Sequence, residues 1–298
     1  MAKEKGKFRK LIEDADRQRK ENQTVFIVYM ILRGLVIVAM IRQFMQESYE
    51  AFALCLLTLL LLYAPSFVKA RYKVIVPQAL EITILLFIYA AEILGEVNCY
   101  YTAIPYWDTI LHTLNGFLCA AVGFSMVMLL SREEKILFRL SPAYISLVAF
   151  CFSMTIGVMW EFFEYFMDQV FLFDMQKDTV LHTISTVMLD HTSTQTPVVI
   201  RDITEVTVNG RELRLGGYLD LGLHDTMKDL FVNFLGAMSF SIIGYLALHG
   251  KKREQIITKS LMMRPVDPKG GEILDEMMGQ EEPPKGKEPS GETVTETK

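Results

Sequence analysis

Four stretches of this chain, residues 51–68, 109–131, 140–160 and 230–250, contain no Asp, Glu, Lys or Arg. Each is close to the roughly 20 residues that cross the hydrocarbon core of a bilayer as a helix. In lipid every backbone N–H and C=O must be satisfied within the protein, so long uncharged runs restrict the chain to helices that pack together. The chain is 51% hydrophobic and 22% charged, with the charges gathered into short blocks between the apolar runs. The pattern predicts an all-α fold: a polytopic membrane bundle of six transmembrane helices at about 24–44, 51–69, 74–94, 106–130, 141–167 and 227–249. Arg33 and Glu81 interrupt the first and third spans; Glu81 is expected near the cytoplasmic end, and Arg33 needs a partner or a snorkelling route.

The distribution of basic residues orients the bundle. Lys3, Lys5, Lys7, Arg9, Lys10, Arg17, Arg19 and Lys20 precede the first span. Lys69, Arg71 and Lys73 follow the second, Arg132, Lys135 and Arg139 the fourth, and Lys251, Lys252 and Arg253 the sixth. Residues 43–50 and 95–107 have no Lys or Arg. Both termini are therefore expected in the cytoplasm, with residues 1–23 as a basic tail, 24–249 as the membrane domain and 169–224 as an extracytoplasmic insert. Residues 1–22 are too polar for the core of a signal peptide, so the first span is read as an uncleaved anchor. Tyr100, Tyr101, Tyr106 and Trp107 mark the outer interface.

Within the insert, Thr204–Val208 and Arg211–Leu215 flank Asn209-Gly210, which suits a type I′ hairpin turn. Residues 264–298 are rich in Pro, Gly, Lys and Glu and are expected to be a disordered cytoplasmic tail. Cys55, Cys99, Cys119 and Cys151 show no CxxC spacing, so neither a thiolate metal site nor a disulfide framework is indicated. There is no basic patch interleaved with aromatics, and no nucleic-acid partner is expected; the bilayer is the expected partner.

Three spans carry ionisable groups at helical spacing: Asp108-x3-His112, Glu161-x2-Glu164-x3-Asp168 and Asp225-x3-Asp229-x3-Asn233. Ionisable groups inside a membrane segment are costly and tend to mark function. With the topology above, all three sets fall in the outer half of the bilayer and should face one another. Gly116 and Gly236 extend the same faces and let helices approach closely. Glu92 and Arg42 are close enough in depth to join. Five or six carboxylates against Arg33 and Arg42 leave three ways to compensate the charge: protonation, ion pairing or a bound cation. One His with several carboxylates is ligand chemistry for a divalent metal ion of unspecified identity, with Asp108, His112, Glu161 and Asp229 as candidate ligands and Glu164 and Asn233 as candidate catalytic groups. The plainer assignments are interfacial positions for Asp168 and Asp225, a cap of the sixth span by Asp225 or Thr226, packing for Trp160, and a structural polar network for the whole set. His182, His191, His224 and His249 fall in loops or at the cytoplasmic end.

Trp107-Asp108-Thr109-Ile110-Leu111-His112-x3-Gly116, Trp160-Glu161-x2-Glu164 and Asp225-Thr226-Met227-x-Asp229-Leu230-x2-Asn233-x2-Gly236 together resemble the YjdF-like group of bacterial inner-membrane proteins. The looser order Asp-x3-His, Glu-x2-polar, Asp-x3-Asn-x2-Gly is similar to the VanZ-like proteins, which carry Gln where this chain has Glu164. The resemblance spans about residues 75–249 and implies a shared membrane bundle and polar site in the bacterial inner membrane, with no settled reaction. From the residues, three functions stay open: a metal-dependent enzyme acting on a lipid or lipid-linked envelope substrate, an ion- or proton-coupled transporter, and an accessory or scaffold protein. Spans four, five and six are uncharged toward the cytoplasm, which disfavours a simple pore.

Overall fold

A computed structural model describes residues 2–72, 74–130, 140–192, 194–249 and 263–265, with side chains from residue 23 to residue 263. The basic groups at Lys73, Arg132, Lys135, Arg139 and Lys251–Arg253, the side chains of the N-terminal tail, and the chain beyond Pro265 lie outside the described residues.

The helices are α1 (Ala2–Met45), α2 (Tyr49–Leu61), α3 (Ala64–Tyr72), α4 (Gln78–Tyr89), α5 (Tyr100–Ala103), α6 (Trp107–Leu130), α7 (Pro142–Phe171) and α8 (Leu223–Leu248). Among the described residues five helical stretches are long and apolar enough to cross a membrane: Gln23–Met45, Tyr49–Tyr72, Trp107–Leu130, Pro142–Phe171 and Leu223–Leu248. The third expected span is built differently: α4 runs without a break into a π-helical segment, Ala90–Val97, that carries Glu92 and Glu96. A π-helical segment inside an α-helix is uncommon and recurs at functional sites.

Two helical groups share the bundle. In one, Leu32 and Val36 of α1, Cys55 and Leu62 of the α2 region, and Leu85, Ile93 and Val97 form a core. In the other, α6, α7 and α8 pack on one another along nearly their whole lengths, around Ala120, Ala121, Phe124, Ile145, Ala149, Ala237 and Phe240. Leu80 of α4 and Leu118 of α6 join the groups in a third cluster.

The sequence of α7 shows why it lies where it does. Beside Ile145, its buried residues Ser146, Ala149, Ser153, Gly157, Glu161 and Glu164 recur every three or four positions and form one stripe. The stripe is small from Ser146 to Gly157 and acidic at Glu161 and Glu164, so close helix packing gives way to a polar site. Pro142 opens the helix, and the Ser141 side chain accepts a bond from the Tyr144 amide at 3.2 Å.

The strands are short: β1 (Val74–Ile75), β2 (Thr179–Leu181), β3 (Ile184–Thr186), β4 (Val198–Ile200), β5 (Thr207–Val208), β6 (Arg211–Glu212), β7 (Tyr218–Asp220) and β8 (Arg264–Pro265). All pairings are antiparallel: β2 with β7, β3 with β4, β5 with β6 and β1 with β8. The expected hairpin is present, with Val208 opposite Arg211 and both turn residues at positive φ, Asn209 at 52° and Gly210 at 78°. The β1–β8 pair revises the expected start of the tail. Met263 is buried beside Val74, Val76, Leu80 and Leu118, its amide donates to Ser125 Oγ at 3.0 Å, and Arg264–Pro265 pair with the β1 strand.

Candidate polar site of three helices

The three motifs converge. Asp108 and His112 occupy the first two turns of α6, Glu161 and Glu164 the C-terminal half of α7, and Asp229 the second turn of α8. Glu161, Glu164, Asp229 and Asn233 are buried, Asp229 and Asn233 at 1% exposure. One ligand atom each from Asp108, His112 and Asp229 lie within 4.8 Å of one another. His112 uses both edges of its ring: Nε2 is 3.3 Å from Asp108 Oδ1, and Nδ1 is 3.7 Å from Glu161 Oε1. Glu161 therefore stands behind the imidazole, outside the trio. Asp108 Oδ2, Glu161 Oε2 and Asp229 Oδ1 are buried oxygens that no hydrogen-bond donor among the described residues reaches.

The α8 helix starts at Leu223, one turn earlier than the sequence suggests, and its cap differs from both residues proposed for that role. Gly222 adopts φ 88°, and Asp220 Oδ2 accepts from the His224 amide at 2.9 Å. Asp225 instead accepts from the Lys177 amide at 2.8 Å, while Asp168 accepts from Met175 and Gln176 amides at 2.7 and 2.9 Å. Gln176 also donates its side-chain amide to Thr226 Oγ1. Residues 175–177 thus form a strap joining the C-terminal end of α7 to the N-terminal end of α8, which gives Asp168 and Asp225 their partners.

Asn233 lies one turn deeper than Asp229. Its Oδ1 accepts from Asn115 Nδ2 at 3.3 Å, and Nδ2 donates to Met154 Sδ at 3.6 Å. Ser153 Oγ donates to the Gly116 carbonyl at 2.7 Å. A Cβ on Gly116 would fall on the Asn233 carbonyl oxygen and a Cβ on Gly236 on the Thr113 carbonyl oxygen, so the two glycines mark the closest approach of α6 and α8.

Other expectations are revised. Trp160 Nε1 donates to Glu164 Oε1 at 2.9 Å, a specific bond where packing was expected. Arg42 donates to Asn98 Oδ1 at 2.8 Å, and Arg33 lies over the rings of Tyr29 and Tyr63, 4.0 Å from each, while donating to the Tyr29 hydroxyl. Neither arginine pairs with the carboxylates of the trio. Among the described residues the cation that does is Lys228, which was not among the expected site residues: Nζ is 3.3 Å from Asp225 Oδ1, 3.6 Å from Asp229 Oδ1 and 3.7 Å from Asp108 Oδ2. Its position three residues after Asp225 and next to Asp229 was the available signal. Asn115 was also passed over, although it is a polar residue inside an uncharged run. His224 is exposed, and its contact is the backbone bond to Asp220. His182 and His249 bond to backbone carbonyls of Ile203 and Tyr245. Glu81 pairs with Lys69 at 2.6 Å.

Between the third and fourth expected spans, Tyr101 packs its ring on Gly95. Burial, and then the charges of Glu96, Asp108, Glu92 and Glu164, push its phenol above the ordinary tyrosine range. The phenol is therefore a neutral donor at the edge of the carboxylate set.

The model of a predicted membrane protein family, DUF2238, matches residues 27–250, which include every residue of this site. The chain belongs to that family. The YjdF-like resemblance is a resemblance to this family, and the match does not extend to VanZ-like proteins. No curated protein and no solved structure matches the chain.

Proposed function

We propose that this protein is a six-span bacterial inner-membrane enzyme that binds a divalent metal ion in the outer half of the bilayer and acts on a lipid or lipid-linked envelope substrate. The observation that carries the proposal is the meeting of Asp108, His112 and Asp229 ligand atoms within 4.8 Å, with two carboxylate oxygens of the trio buried and without a hydrogen-bond donor. These two oxygens have the Lys228 ammonium at 3.7 and 3.6 Å but no hydrogen bond; buried carboxylate oxygens without one are costly, and a bound cation satisfies them.

The sixth crossing in this reading is α4 with its π-helical continuation. At the α-helical rise of 1.5 Å per residue, its 12 and 8 residues reach about 30 Å, enough to span the hydrocarbon core. With six crossings both termini share a side, and the basic clusters flanking the spans favour the cytoplasm for it, with the 169–224 insert and its hairpin outside.

Asp108, Asp229 and Nε2 of His112 are the proposed ligands. Glu161, at the opposite ring nitrogen, orients the imidazole, a common arrangement around metal-bound histidine. Three protein ligands leave a position for water, whose acidity the metal increases. Glu164, one turn further out on α7 and steadied by Trp160, is the proposed general base. Asn233 holds α8 against Asn115 below the reacting groups and sets the depth of Asp229. The outer depth of the site favours a headgroup or lipid-linked carrier as substrate over a cytoplasmic solute.

A structural polar network is the second reading, favoured by Lys228, which supplies one positive charge to the cluster. Metal content of detergent-purified protein, compared with His112→Ala and Asp229→Asn, separates the two. A stoichiometric metal lost in both variants supports the enzyme. Folded, metal-free protein in all three samples supports the network.

A further inference from the structure

The cation among the carboxylates is held loosely. Of the three contacts Lys228 makes, the one to Asp225, at 3.3 Å, is short enough for a hydrogen bond; Asp229 and Asp108 are 3.6 and 3.7 Å away. The Lys228 side chain is 48% exposed, whereas those of Asp225 and Asp229 are 11% and 2% exposed. Its flexible stem starts at the rim of the site and brings the ammonium in from there. The oxygens it approaches without bonding, Asp108 Oδ2 and Asp229 Oδ1, belong to the trio proposed to hold a metal.

We propose that Lys228 is a tethered counter-ion that a divalent cation must displace, so that this residue sets the metal affinity of the site. The inference rests on the metal-binding reading above. A divalent ion bonds carboxylate oxygens at about 2.0–2.6 Å. An ammonium less than 4 Å from the same oxygens would then stand against a doubly charged ion in a poorly screened setting, and the two repel. Occupancy by one excludes the other. The exposed stem gives the displaced ammonium a route to the aqueous rim, and Asp225, outside the trio, remains there as its partner. A monovalent ion gains too little from the trio to displace an ammonium that is already covalently present at high effective concentration.

The test is Mn2+ titration of the full-length protein in detergent, read by the electron paramagnetic resonance of free Mn2+, for wild type, Lys228→Met and Lys228→Gln. Removing the internal competitor should tighten Mn2+ binding by about tenfold or more in both variants. Two neutral replacements of different polarity guard against a folding defect peculiar to one, and thermal unfolding confirms that each variant is intact. If both variants bind Mn2+ with wild-type or weaker affinity, the counter-ion inference is overturned while the metal site stands. If neither wild type nor variants bind Mn2+, the metal reading falls and this inference falls with it.

Discussion

The crossing of α6 and α8 allows a quantitative test, because the side chains it excludes would meet backbone. In Gly116→Ala the new methyl would overlap the Asn233 carbonyl oxygen, with the carbonyl carbon at 2.9 Å and Cα at 3.0 Å. In Gly236→Ala it would overlap the Thr113 carbonyl oxygen, with the Phe117 nitrogen at 2.9 Å. Comfortable carbon contacts are about 3.5–4.0 Å, so each substitution pushes the helices apart by roughly an ångström. Backbone atoms of packed helices cannot rotate aside as a side chain can. Overpacking of this kind costs about 1–3 kcal/mol. Weakening the 3.3 Å Asn115–Asn233 bond adds about 1 kcal/mol, and the better helix propensity of Ala returns about 1 kcal/mol. The expected net loss is about 1–3 kcal/mol for each variant. Both act on one crossing, so once the helices have parted the second methyl costs little. The double variant should fall short of the sum of the single losses by about 1 kcal/mol or more. Gly157→Ala is the comparison: its methyl would sit 2.5 Å from Asn233 Nδ2, a side-chain atom that can turn away, so the loss should be smaller. The assay is reversible denaturant unfolding in micelles followed by the fluorescence of the chain's two tryptophans. Single variants within about 0.5 kcal/mol of wild type, or strictly additive losses, would refute the crossing.

Three further outcomes are expected. Trp160→Phe leaves Glu164 Oε1 without the donor now 2.9 Å away and should cost about 1–3 kcal/mol in the same unfolding assay. Met263→Ala should cost about 2 kcal/mol and speed proteolysis of the tail, since it removes a buried side chain from the cluster with Val74, Leu80 and Leu118. In the insert, bonds from the Thr192 hydroxyl and amide, followed by amides of Thr196 and Thr194, lower the Asp190 carboxyl to about 2. A depressed carboxyl stabilises its turn fully above its ordinary range near pH 4, and that contribution fades as pH falls through about 2. A carbon-detected NMR titration of Asp190 should show that low midpoint; a midpoint near pH 4 would refute the bonded turn.

What the sequence made legible follows from spacing and charge. The i, i+3 and i, i+4 pattern put Glu161 and Glu164 on the same stripe as Ser153 and Gly157, and one stripe on a membrane helix has to face protein. Gly116 and Gly236 were readable as points of close approach for the same reason. The Asn209-Gly210 turn was readable because few dipeptides accept two positive φ angles. What escaped depends on contacts between distant residues. Asp168 and Asp225 are taken up by amides of residues 175–177, and no periodicity records which loop folds over a helix end. Lys228 was not legible as the cation of the cluster because spacing ties it to Asp225 and Asp229 but not to Asp108, which lies on another helix. The pairing of Arg264–Pro265 with Val74–Ile75 joins segments far apart in the chain, and two-residue strands carry no alternation to read. The π-helical turn that continues α4 has the same apolar composition as an α-helix, so composition alone could not distinguish it.

The central claim is that α6, α7 and α8 bring Asp108, His112 and Asp229 together to hold one metal ion. Anomalous diffraction from crystals of the full chain grown with Mn2+ tests it most directly. A single anomalous peak within bonding distance of Asp108, His112 Nε2 and Asp229, with Lys228 turned out toward Asp225, is the predicted result. A well-ordered site with no peak, and Lys228 seated among the three carboxylates, would contradict it.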